Sequence, residues 1–311
     1  MSRIRRILVV VDPRAVGRQS AVDKAAVLAR CMDASLQLLM CDVASVAVDD
    51  ADPSGRSASS SDAHLLNMLD ELAAPVRAAG LDVMTRLIYG NSLPDSLLDY
   101  IRGADFDLVA KDTHHHSFLK RTLIRNTDWY LARGCAAPLL LTKSRPWNRR
   151  PIILAAIDPS PSNDAADELD RHILHYAATL TGQIGGELHV IHSFVPVAFE
   201  SLVVAAGTPN MSREYSEALQ VEKSYKFCQI EQLVSRYRVP RQNVHLEMGT
   251  TEDCLMSAVT EYRADIMVMG ASSHARWHRR VVGSTASTVL EALPCDALIV
   301  QPCHESQAVP V

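Results

Sequence analysis

Gly270 and Gly283 stand thirteen positions apart, and the second opens the run Gly283-Ser284-Thr285-Ala286-Ser287. Such small residues at a helix start leave the first backbone amides exposed, and those amides have no intrahelical acceptor. Together with the positive end of the helix dipole they make a seat for phosphate. Ser284 and Thr285 would add hydroxyl donors beside it. A carboxylate, Asp158, ends the apolar run PIILAAIDP and could accept bonds from ribose hydroxyls, as an acid does in dinucleotide folds. Each feature also has a plainer use, the glycine as a helix cap after a surface loop and Asp158 as a strand-end turn former. The chemistry on offer is nucleotide binding rather than turnover. The sequence holds no GKS/T phosphate loop, no GxSxG elbow and no HExxH pair.

Residues of this kind work only when strands and helices bring them together, and the chain shows such a frame twice. RRILVVVDP at Arg5–Pro13 returns as RRPIILAAIDP at Arg149–Pro159. SLQLLMCDV at Ser35–Val43 answers ELHVIHSF at Glu187–Phe194, and DFDLVAKDTHHH at Asp105–His116 answers RADIMVMGASSH at Arg263–His274. APLLLTK at Ala137–Lys143 answers CDALIVQP at Cys295–Pro302. Matching blocks in the same order predict two homologous domains, residues 1–144 and 150–305, joined near Ser144–Arg150. Helical spacing is evident at Ser92–Arg102, Asp164–Thr181 and Arg213–Tyr237. Near-continuous apolar strands separated by helices predict parallel sheets covered on both faces. In such doubly wound sheets the ligand crevice lies at the carboxyl ends of the strands, where Asp158 and Gly270 fall. Asp49–Asp62 and Gly207–Ser212 read as polar connections.

Composition narrows the classes further. At 311 residues with a net charge of −5, the chain has room for two domains and gives a nucleic-acid partner no support. The run ILVVV near the N-terminus is too short for a signal-peptide core and reads as a first strand, and no apolar run reaches transmembrane length. The 7 cysteines are scattered without a CxxC pair, which suits a reducing cytoplasm. The expectation is a cytoplasmic protein with no membrane partner.

These residues resemble the universal stress protein family. Its nucleotide-binding members carry G-2x-G-9x-G-(S/T) after the fourth strand and an Asp at the end of the first. Gly270, Ser273 and Gly283-Ser284 match that spacing, with Ser273 where the middle glycine stands, and Asp158 matches the acid. The layout is similar to that of the tandem, E-type members. The resemblance implies two tandem doubly wound (adenine nucleotide alpha hydrolase-like) domains, each a five-stranded parallel sheet with helices on both faces. It places the last strands, Pro138–Thr142 and Ala297–Gln301, near a pseudo-two-fold axis, a pseudo-dimer within the chain that leaves a homodimer open. It further implies ATP, with or without Mg²⁺, held in the second domain by Asp158, Val190, Met269, Gly270, Ser273, Gly283, Ser284, Thr285 and Ala286. Protein partners would carry the stress response, and hydrolysis would be slow at most. Two other readings stand beside this one: an interaction module with both sites decayed, and an ATP-dependent enzyme of the same fold.

The first domain departs from the pattern. Lys111 takes the place of Gly270, His114 that of Ser273, and Arg125-Asn126 that of Gly283-Ser284. Bulky side chains there would fill the space that phosphates need, so this site is expected to be degenerate. Consecutive histidines His114–His116 point in different directions and make a poor metal site. The basic loop His274–Arg280, with Trp277, reads as a solvated loop over the phosphates rather than a nucleic-acid patch. His172, His175 and Tyr176 read as packing residues of a helix, and Cys295 as a small hydrophobe.

Overall fold

The computed structural model describes residues 3–15, 17–43, 60–113, 121–159, 164–196, 211–271 and 284–301. The chain divides into two compact units. The first holds Met1–Trp147 and Cys295–Gln301, the second Asn148–Arg279 and Gly283–Pro294.

In the first unit, β1 (Arg6–Val10), β2 (Ser35–Asp42), β3 (Val83–Tyr89), β4 (Leu108–Asp112) and β5 (Leu139–Thr142) run parallel in the order β3-β2-β1-β4-β5. Every residue of β4 is buried and so is nearly all of β1, because helices cover both faces of the sheet. Those helices are α1 (Ser20–Met32), α2 (Ser60–Ala78), α3 (Leu93–Arg102) and α4 (Arg121–Gly134). In α1 the buried set Ala21, Ala25, Leu28, Ala29 and Met32 recurs at helical spacing. The helix stops at Asp33, which takes φ 55° and returns its N–H to the Ala29 carbonyl.

The second unit repeats the plan. Its strands β6 (Ile152–Ala156), β7 (Glu187–Phe194), β8 (Val244–Met248) and β9 (Ile266–Gly270) are parallel in the order β9-β6-β7-β8, which restates β4-β1-β2-β3. The helices are α5 (Asp164–Ile184), α6 (Met211–Val234), α7 (Thr251–Glu261) and α8 (Ser284–Ala292). The repeat extends to single hydrogen bonds. Asp107 Oδ2 accepts the N–H groups of Arg5 and Arg6, just ahead of and at the start of β1. Asp265 Oδ2 accepts that of Ile152 at the start of β6. In both units an acid before the fourth strand, half-buried Asp107 and buried Asp265, satisfies amides that open the first.

The last strand, β10 (Asp296–Val300), belongs to the first unit. It pairs antiparallel with β5, with Leu298 opposite Leu140. Asp296, 2% exposed, fixes its start. The carboxylate accepts the Lys24 ammonium (2.8 Å), the Lys143 N–H (2.8 Å) and the Trp147 indole N–H (2.7 Å).

Helix positions follow the sequence reading with small shifts. The third helix begins after Ser92, with Pro94 in its first turn, and the helix read as Arg213–Tyr237 is α6 followed by a 3-10 turn at Ser235–Tyr237. The stretch Asp49–Asp62, expected as a connection, already contains the start of α2 at Ser60. Strands β3 and β8 escaped the matched blocks because their alternating, half-exposed patterns carry little apolar signal.

Candidate functional site

Paired strands β6 and β9 end side by side at Ala156 and Gly270. Asp158 follows two residues beyond β6. Its N–H donates to both oxygens of Asp170 on α5, at 3.1 and 3.2 Å. Asp170 is 1% exposed. His192 on β7, also buried, donates its Nδ1–H to the Ile157 carbonyl at 3.1 Å, and Nδ1 lies 3.7 Å from Asp158 Oδ1. Buried polar groups thus hold the backbone of this loop while the Asp158 side chain stays 66% exposed. A carboxylate fixed at its root and open at its tip is suited to reading a ligand hydroxyl.

Gly270 keeps strand backbone, without a positive φ. A Cβ built there would lie 2.7 Å from Cδ2 of Leu169, the core residue of α5 beside Asp170. Its lack of a side chain therefore has a packing reason of its own. Val190 is fully buried in β7 and Met269 is 6% exposed in β9. Helix α8 opens at Ser284, as the small-residue run predicts, with Thr285 next and Ala286 buried in its first turn. Ser273, Gly283, the loop His274–Arg280 and His114–His116 lie outside the described residues.

The corresponding corner of the first unit is differently built, and the strand registers put Asp112, not Lys111, at the position of Gly270. Lys111, 7% exposed, turns into the protein: its ammonium meets Asp128 Oδ1 of α4 at 2.8 Å and donates to the Asp112 carbonyl at 2.9 Å. Asp112 Oδ1 in turn accepts the Thr142 hydroxyl at 2.5 Å and the Ala21 N–H at 2.8 Å. Lys111 is an internal ion-pair partner, not a cation presented to an anion. Helix α4 begins at Arg121, so Arg125 and Asn126 fall inside it rather than at its start. The loop after β1 is held by Gln19, which accepts the Asp12 N–H and donates to the Asp12 carbonyl.

Asp170, His192 and Asp128 went unread in the sequence. The available signal was an acid on the apolar face of a helix, beside Leu169, Ile173 and Leu174. Among the described residues no group of three or more His, Cys, Asp or Glu is placed to hold a metal ion, and no helix is long and apolar enough to cross a membrane.

Two units of the same parallel strand order, each with its loops at the carboxyl ends, define a tandem doubly wound α/β protein. The chain belongs to the universal stress protein family, whose sequence profile matches residues 3–143 and again 150–301. Universal stress protein E of Escherichia coli K12 is 23% identical over 226 residues, covering 72% of this chain and 70% of the relative. The universal stress protein E homolog of Haemophilus influenzae is 20% identical over 235 residues, 75% of this chain and 73% of its own. Among solved structures, a putative universal stress protein of Pseudomonas aeruginosa UCBPP-PA14 aligns with a TM-score of 0.69 at 24% identity, covering 96% of this chain and 94% of that one. One from Archaeoglobus fulgidus aligns at 0.57 and 17% identity, covering 96% and 97%. At these identities the solved structures bear on the fold.

Proposed function

We propose that this chain is a cytoplasmic stress-response protein that binds an adenine nucleotide, ATP, in the crevice of its second unit and acts through protein partners. One observation carries the reading: Asp158 presents an exposed carboxylate from a loop anchored by buried Asp170 and His192, beside the strand that ends on Gly270. The helix that follows opens on Ser284-Thr285, where free amides favour phosphate. Mg²⁺ would arrive with the triphosphate, since no carboxylate cluster in the described residues awaits it. The Lys111–Asp128 pair occupies the matching corner of the first unit and takes up the cation that could have drawn an anion there. Calorimetry with ATP and Mg²⁺ is expected to find one site per chain. Two equivalent sites would overturn the assignment to the second unit alone.

The contact between Gly270 and Leu169 favours a second reading, in which the glycine serves packing and the chain is an interaction module. Mass spectrometry of ligand released from protein purified without added nucleotide separates the two. ATP or AMP supports the first, and an empty protein that also fails to bind in calorimetry supports the second.

A further inference from the structure

Near the amino ends of β7 and β8, the second unit sets two imidazoles against each other. His189 Nδ1 lies 3.0 Å from His245 Nε2, and the rings stack at 5.2 Å with an interplanar angle of 18°. Tyr262, the residue after α7, covers both: its ring is 4.1 Å from that of His245 and 5.3 Å from that of His189. A nitrogen–nitrogen contact this short requires one ring to donate and the other to accept. Were both imidazoles cations, two donors and two charges would face each other at that distance.

The neighbouring charges pull the other way, and burial prevails. Glu187 on β7 lies 3.5 Å from His189 Nε2 and favours a cation there. Its carboxylate is already engaged by the Asn243 amide at 3.1 Å and by Arg150, ahead of β6, at 3.6 Å. Glu247 on β8 and Glu261 at the end of α7 act on Tyr262, whose hydroxyl is pushed upward chiefly by burial. Desolvation nonetheless holds His189 below its ordinary value, and it holds His245, with His189 beside it, down to about 4.

The equivalent position in the first unit carries no imidazole. The strand registers align Ser35 with Glu187, which puts Gln37 where His189 stands. The Gln37 amide donates to the Tyr100 hydroxyl, and Tyr100 stacks on Phe106. An amide that never ionises fills the role there.

We propose that the His189–His245–Tyr262 stack is an acid-sensitive latch, which holds β8 and the end of α7 in place and releases them when both imidazoles become protonated. The sign follows from linkage. Opened, the imidazoles take up protons near the ordinary value of about 6.5; closed, they resist until the pH is lower. The latch is at full strength above about pH 6.5 and weakens as pH falls toward about 4.

Hydrogen exchange of the full chain, followed by mass spectrometry and corrected for intrinsic rates, reads the release directly. Between pH 7.5 and pH 5, protection across residues 244–262 is expected to fall about tenfold more than protection across β2, allowing for the partial exposure of His245. His189→Gln, which installs the first unit's residue, should retain protection at pH 7.5 and reduce this pH dependence, leaving the part that burial imposes on His245. A wild-type protein with no selective loss, or a variant with an unchanged profile, overturns the latch. Should the variant fold poorly, an NMR titration of the wild type decides: a His245 imidazole titrating near 4 supports the latch, and one near 6.5 overturns it.

Discussion

At the scale of single residues, the two units show how one position can be given to packing, to charge or to a ligand. Asp112 and Gly270 end equivalent strands, and Lys111, one residue earlier, is tolerated because Asp128 meets it inside the protein. Asp128→Asn should leave a buried cation uncompensated and cost about 3 kcal/mol, whereas the double change Lys111→Met, Asp128→Leu should cost much less. Urea denaturation of both variants measures the difference. Gly270→Ala should destabilise the second unit by about 1–3 kcal/mol even without nucleotide, because Leu169 has to move. Gly283→Arg tests the phosphate seat instead. Two lost charge-assisted bonds weaken ATP binding on the order of a hundredfold, with the thermal melt little changed. Wild-type affinity in a well-folded Gly283→Arg protein would reduce that glycine to a helix cap.

At the scale of elements, β10 is held as much by its first residue as by its ladder. Asp296 is pushed upward by burial, opposed by Lys24 and by the N–H groups of Lys143 and Trp147. Removing the ammonium with Lys24→Met leaves a buried carboxylate with neutral donors only, a loss of about 3 kcal/mol at neutral pH. That loss has a defined pH dependence. A carboxyl whose folded pKa is raised is destabilising when ionised, so the penalty grows as pH rises through that value and shrinks on acidification. Melting the variant at pH 5 and pH 8 should therefore show a smaller deficit at pH 5. An equal deficit at both would mean that Lys24 acts through packing of its alkyl chain rather than through charge.

At the scale of the whole molecule, the first unit is completed by a strand from the far end of the chain. Leu139, Leu140 and Leu141 of β5 are each at most 4% exposed in the presence of β10. A fragment ending at Trp147 would bare that edge, and an apolar strand with free backbone groups seeks another strand. The fragment is expected to self-associate through β5, visible as a dimer or larger species by size exclusion. A monomer that melts like the intact first unit would show that β10 contributes little. Restoring a monomer with a Lys at Leu140 would identify the strand edge as the cause.

What the sequence determined by itself was the repeat, the parallel α/β class, the helix opening at Ser284 and the place of Asp158 at a strand end. These follow from local periodicity and from residue types whose backbone preferences act over a few positions. Matched blocks also made the universal stress family legible. What the sequence did not reveal depends on partners far apart in the chain. Asp170 and His192 steady the Asp158 loop from α5 and β7, Asp128 neutralises Lys111 from α4, and Asp296 reaches Lys24 across 272 positions. A buried charge or imidazole carries no periodic signature, because its role is set by what desolvates it and what pairs with it. His189 read as one residue of a strand, and only the packing of β8 and Tyr262 against it made it half of a titrating pair.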